Sequence, residues 1–386
     1  MRTIYTSCLM TIAALAVATS CGKSDTPAAA SGPVDVRLVV SSGNNTRVGS
    51  DATDNDISQL RVYAFNAKGK KVGYAEADSL KGQNYIPITL SEGGDINFYV
   101  IANDNFGPKP TIGTKPVTDW TSLSKTDLES LKFDLSGFSG WSTTDDFVSP
   151  MSNNLYDEFG NPLENDTGKA YEKDYGTAVN VPKQTTGTLV IPVTVQHVLG
   201  RLRLMLNKDA SAKDVTIKVT KAVVYHRPDA FKLYFAENEK NQIDDIITFT
   251  NNADSLKEQL IVDTKPLVDK PDDGYTTIAR TYLAPNQYGS SDPDTYTAQK
   301  TDGTTSSKGL NEAYRLDLTV EFAYTTGTSE KKNYTEDYTV YLPRVPRNTS
   351  IDVQGTFKGT VVDIKPTFNI MVNAWVERTI EIPAFE

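Results

Sequence analysis

The chain has 386 residues, 23% of them charged and 38% hydrophobic, with a formal charge of −10 and a pI near 4.9. This length holds two ordinary domains, or one domain with processing segments, and the balance is that of a folded protein with a polar surface rather than a disordered one. The acidity excludes a nucleic-acid partner, because no basic stripe exists to displace counterions from phosphates.

The N-terminus opens with a basic residue, Arg2, and a short apolar run, Leu9 to Ala18, followed by Thr19-Ser20-Cys21-Gly22. The run is too short to span a bilayer, and small residues directly precede a cysteine. This pattern resembles the lipobox of bacterial lipoprotein signal peptides, which implies a signal peptide over residues 1–20 and acylation of Cys21. Both cysteines of the chain, Cys8 and Cys21, fall in this region, so no disulfide and no thiolate metal site is available beyond it. Lys23 to Pro33 is rich in Ser, Ala, Gly and Pro and reads as a tether. Val34 to Val40 then alternates apolar with polar at period two, as a half-buried strand does, with Val34, Val36, Leu38 and Val40 on one face. Ser41 to Gly49 is turn-rich and carries Arg47, the kind of loop in which proteases cut.

Further strands are predicted at Ser58 to Asn66, followed by a charged turn, and at Asn84 to Leu90 and Asp95 to Asn103, separated by Glu92-Gly93-Gly94. The clearest helix lies in Thr121 to Leu131, with Ser124 or Thr126 available to cap it. Asn153 to Lys183 is a polar excursion. Its Asp157, Glu158, Glu164 and Asp166 lack the ligand spacing of a helix-loop-helix calcium site and read as solvated charge. A second series of strands follows at Thr188 to Val193, Arg201 to Leu206, Val215 to Val219 and Leu316 to Phe322, with others from Asp337 to Phe385. His197 and His226, the two histidines of the chain, sit in strand-like apolar stretches and read as structural residues. The fold class expected is all-β (mainly β with one or two short helices), arranged as two antiparallel β-sandwich or open-barrel domains in tandem, at 48–186 and 187–386 behind a propeptide at 21–47.

Several stretches, in corresponding order along the chain, resemble the fimbrillin family, the major and minor subunits of type V pili. They are Ile57 to Phe65, Phe98 to Asn103, Ser149 to Ser152, Val198 to Leu204, Arg347 to Val353, and the closing Asn373-Ala374-Trp375 with its short tail. The resemblance implies export as a lipoprotein to the outer membrane, held there through Cys21. It further implies removal of the N-terminal segment by an arginine-specific surface protease and assembly into a cell-surface fimbrium with other copies and other subunits. By the same resemblance Arg47 is the residue cut after, Val48 the mature N-terminus, and Val34 to Val40 the strand removed; Arg37 is a rival site set within the strand pattern. A strand donated by a neighbour would refill the gap. The tail has the chemistry to donate, with Ile380 and Ile382 on one face, Thr379 and Glu381 on the other, and Val376 and Phe385 as further apolar anchors. Processing would remove four basic and two acidic side chains, taking the charge from −10 to −12.

Two other functions were weighed. A surface glycan-binding β-sandwich lipoprotein would use Trp120, Trp141 and the many tyrosines as a stacking platform, and a host or bacterial surface ligand is open under either reading. Against an enzyme, the sequence has no Gly-rich phosphate loop, no nucleophile elbow and no metal-ligand spacing, and pairs such as Asp244-Asp245 and Asp272-Asp273 lie in polar loops. No catalytic residue, metal or cofactor is assigned.

Overall fold

The computed structural model describes residues 32–42, 57–78, 85–104, 109–135, 141, 149–157, 160–164, 168–171, 173–183, 187–236, 239, 247–248, 267, 274–286, 313–325, 330–360 and 363–374. Its first strands are β1 (Val34–Ser42), β2 (Leu60–Asn66), β3 (Lys71–Ala77), β4 (Tyr85–Leu90) and β5 (Gly94–Ala102), then the short β6 (Thr111–Ile112) and β7 (Lys115–Pro116). A single turn of 3-10 helix at Trp120–Ser122 leads into α1 (Lys125–Ser130), and β8 (Leu131–Asp134), β9 (Met151–Ser152), β10 (Val179–Val181) and β11 (Leu189–His197) follow. The remainder is β12 (Gly200–Lys208), β13 (Val215–Tyr225), β14 (Ala230–Lys232), β15 (Ile247–Thr248), β16 (Thr276–Leu283), β17 (Arg315–Thr325), β18 (Lys331–Tyr341), β19 (Thr349–Thr360) and β20 (Asp363–Ala374).

These strands form four sheets. The first runs β3-β2-β5-β9-β11-β1-β4, with β10 added on β5. Its two ends nearly meet, since the Ser91 N–H donates to the Val72 carbonyl at 2.8 Å beside the start of β3, so the sheet curls into an almost closed barrel. One parity of its residues fills the interior: Val34, Val36, Leu38 and Val40 meet Val62 and Ala64, Ile86, Ile88 and Leu90, Phe98 and Val100, and Ile191, Val193 and Val195. On β2 and β5 the other parity is apolar as well, because a small second sheet, β15-β14-β8-β6-β7, covers them. There Tyr63, Phe65, Tyr99, Tyr175 and Tyr234 pack with Phe133, Phe231 and Leu128 of α1 into a second core. The expected helix is thus shortened to α1. Ser124 caps it with a capping box, its side chain accepting from the Asp127 N–H while the Asp127 carboxylate accepts from the Ser124 N–H.

The third core lies between β16-β12-β19-β20 and β13-β17-β18, two sheets packed as a sandwich. β17 shows why the alternation read so cleanly. Leu316, Leu318, Val320 and Phe322 are buried, and Asp317, Thr319 and Glu321 between them are not. The chain passes from barrel to sandwich at Val198-Leu199, between β11 and β12; β11, which follows residue 186, completes the barrel. Two pairings are parallel rather than antiparallel, β1 with β11 and β12 with β19.

Candidate strand-exchange site

β1 lies inside the barrel sheet with a partner on each side. Along one edge it runs antiparallel to β4, from Val34 opposite Leu90 to Val39 opposite Tyr85. Along the other it runs parallel to β11, from Val36 opposite Leu189 to Ser42 opposite Val195. Its inward side chains, Val34, Val36, Leu38 and Val40, are each at most 1% exposed. Burial of such side chains contributes roughly 1.5–3 kcal/mol apiece. Removing β1 would strip water protection from two rows of backbone N–H and C=O groups and from four apolar sockets together.

The outward face of β1 is held more lightly. The Asp35 carboxylate accepts from the Thr89 hydroxyl at 2.8 Å, and the Arg37 guanidinium stacks 4.4 Å from the centre of the Tyr85 ring. Arg37 therefore sits mid-strand, half-buried and paired on both edges. The chain leaves β1 at Ser42, before the segment that carries Arg47. Cys21, Arg47 and Val48 lie outside the described residues, as do the tail residues Val376, Ile380, Ile382 and Phe385. The last described residue before that tail, Ala374, ends β20, which forms one border of the sandwich sheet.

Sequence reasoning found β1 and both strands that wall it, but not their pairing. The turn signal at Glu92-Gly93-Gly94 predicts a hairpin of β4 with β5, yet the ladder partner of β4 is β1. β11 had been placed with the strands after residue 186, and its partner is again β1. The alternation in both was visible; their pairing was not.

Three of the stretches that carry the family resemblance come together in the barrel, and two more in the sandwich. Asn103 adopts a left-handed φ of 58°, and its side chain accepts from the Ser58 N–H at 2.9 Å and donates to the Ser149 carbonyl at 3.3 Å. Three of the stretches thereby meet at one side chain. In the sandwich, Arg203 donates two hydrogen bonds to the Asp352 carboxylate, at 2.7 and 2.5 Å, across the parallel pair. Gly200 has no room for a β-carbon, which would lie 2.6 Å from Val345 Cγ1. Arg347 reaches back to the barrel side and donates to the Tyr156 carbonyl at 3.0 Å.

The aromatic residues weighed for sugar stacking have structural roles. The Arg61 guanidinium lies 4.7 Å from the Trp120 ring centre, and the Trp120 carbonyl accepts from the Tyr63 hydroxyl. Trp141 packs on the sandwich core and donates its Nε1–H to the Ala222 carbonyl at 3.1 Å. His197 is wholly buried, and burial together with the nearby positive charge of Arg201 holds its imidazole well below its ordinary pKa. His226 is buried with its Nδ1 2.7 Å from the Ala313 carbonyl.

Residues 33–193, the barrel together with much of β11, match the family described as "Major fimbrial subunit protein (FimA)". Over these residues, fewer than half of the chain, it is similar to that family. One solved structure extends the likeness of fold to most of the chain. A proposed cell adhesion protein from Bacteroides eggerthii is 14% identical, with a TM-score of 0.52 over 89% of this chain and 96% of its own. A fimbrilin from Porphyromonas gingivalis is also 14% identical, with a TM-score of 0.46 over 90% of this chain and 99% of its own. No curated protein sequence matches the chain. The matched part of the chain thus resembles a fimbrial subunit.

Proposed function

We propose that the chain is exported as a lipoprotein acylated at Cys21, is cut after Arg47 by an arginine-specific protease, loses β1, and polymerises when a strand from a neighbouring subunit enters the vacated slot. The observation that carries this reading is the placement of β1. It is fully integrated in the barrel through β4 and β11, yet it is joined to the rest of the fold only through the segment between Ser42 and β2, where Arg47 lies. One cut there separates the strand from everything it packs against. Arg37 is a poor alternative, because a protease needs an extended, unpaired segment and Arg37 is paired on both edges. The occupant we assign is the tail, with Val376, Ile380 and Ile382 on the parity that fills sockets and Phe385 as its last anchor.

The reading is tested by digesting the precursor with an arginine-specific protease, determining the new N-terminus and sizing the product. A terminus at Val48, with multimers that survive mild heating in detergent, is the expected result. Arg47→Ala should remain an intact monomer, and Arg37→Ala should still be cut. Subunits that have lost residues up to Arg47 and stay monomeric would overturn strand exchange.

A further inference from the structure

β18 ends the three-stranded sheet of the sandwich, so one of its edges faces β17 and the other has no strand beside it among the described residues. From Lys331 to Asp337 every residue except the half-buried Tyr334 is exposed. The Leu342 N–H donates to the Tyr314 carbonyl at 2.9 Å, on the β17 side. Backbone directions alternate along a strand, and this ladder runs from Arg315 opposite Tyr341 to Thr325 opposite Lys331 without a bulge. The even-numbered residues therefore bond to β17, and Lys331, Asn333, Thr335 and Asp337 turn their N–H and C=O groups to the open edge. No proline or glycine interrupts the strand.

Such an edge is a template for another strand, and its side chains specify which one. Two lysines, Lys331 and Lys332, open the strand, and two acids, Glu336 and Asp337, follow in its middle. On β17 these four stand opposite Thr325, Tyr324, Val320 and Thr319, so no charge answers them across the existing ladder. Along the strand Lys332 and Glu336 lie about 13 Å apart, too far to pair. A second copy of β18, laid antiparallel with Tyr334 opposite its own counterpart, sets Lys331 against Asp337 and Lys332 against Glu336, and the symmetry repeats both pairs. Sliding the copies by two residues either way loses these pairs, and one such slide sets Glu330 against Glu336. In the matched register the outward-facing odd residues exchange backbone hydrogen bonds. The two Tyr334 rings then meet at a non-hydrogen-bonded position, where side chains approach most closely. Tyr334 already stacks on Phe322, with ring centres 4.8 Å apart, so the joint continues an aromatic layer of the sandwich into the second copy.

We propose that β18 is a self-complementary edge through which two copies of this chain associate side by side, paired antiparallel about a two-fold axis at Tyr334. Lysines on an edge ordinarily repel an incoming strand. Here the acidic half of the same strand converts that repulsion into a choice of partner and register. The joint uses no residue of the slot and does not depend on strand exchange.

The test is sedimentation equilibrium of the uncut, unacylated precursor, whose slot is full, so that strand exchange cannot supply the association. Wild type should form a concentration-dependent dimer in about 0.05 M salt that dissociates in about 1 M salt. Lys331→Glu/Lys332→Glu and Glu336→Lys/Asp337→Lys should each be monomeric. An equimolar mixture of the two should form a dimer holding one of each, because the reversed charges again meet their opposites. Thr335→Pro, which removes one outward N–H and leaves the β17 ladder intact, should be monomeric with an unchanged Tm. A wild type that stays monomeric, a dimer that survives either charge reversal, or a mixture that does not pair would overturn the proposal. If one reversed variant does not fold, the variant carrying all four changes decides instead. It should dimerise with itself, and a folded monomer would count against β18 as the joint.

Discussion

Leu38 occupies the deepest of the four sockets, with no exposed surface, and its neighbours come from strands far apart in the chain. Truncating it leaves a cavity that the curled sheet can collapse into only partly. Leu38→Ala should therefore destabilise the precursor by about 2–5 kcal/mol in urea unfolding, and should leave the stability of an already cut, β1-free subunit unchanged. A second residue reports through pH. His197 is neutral in the folded chain because burial, and then Arg201, depress its pKa, whereas in the unfolded chain it titrates near 6.5. Between those two values only the unfolded chain holds the proton, so stability is complete above about pH 6.5 and declines as the pH falls below it. Melting from about pH 7 to about pH 5 should lower Tm less in His197→Gln than in wild type, and equal losses would remove His197 as a source. At this scale the sequence was legible where alternation alone decides burial, as along β1 and β17. It was silent where a side chain's partner is distant. Nothing near Arg37 in the chain announces Tyr85, and nothing near Asn103 announces Ser58 and Ser149.

Among the elements, α1 is the one for which the sequence offered a start from chemistry, Ser124 or Thr126 as cap, and the structure uses Ser124. The reciprocal bonds between Ser124 and Asp127 replace backbone partners that the first turn lacks. Ser124→Ala should cost about 1 kcal/mol of stability, read from the urea midpoint. A change within a few tenths would mean that Leu128, packed in the second core, holds the helix unaided. The long alternating strands such as β1, β5, β12 and β17 were found, β3 and β16 were missed, and the partners of those found were not seen. An antiparallel neighbour joined by a short turn leaves a turn signal, as β2 and β3 do at Lys68-Gly69-Lys70. A parallel pair such as β1 with β11 leaves none, because the connection contains most of a domain. The slot was therefore readable as one strand and unreadable as a site. Its walls emerge only when residues 34–42 are set between residues 85–90 and 189–195.

In the whole molecule, the barrel and the sandwich repeat one arrangement. The leading strand of each, β1 or β12, lies between a parallel partner, β11 or β19, and an antiparallel one, β4 or β16. The difference is in attachment. β12 is continuous with β11 through Val198-Leu199, whereas β1 leads only to the segment bearing Arg47, so a single cut can release one leading strand and never the other. That parallel pairing also sets an order in time. β1 emerges first during synthesis, but one of its two edges stays bare until β11 has followed, and such a long-range pairing is slow to form. A processed subunit has no β1 to pair with at all. The full precursor should accordingly regain its structure after dilution from urea, while the chain of residues 48–386, unfolded and diluted in the same way without added strand, should not, as circular dichroism and sizing would register. Under the proposed processing, cleavage would act as a one-way clock, since a cut subunit would keep a shape it could no longer reach by itself.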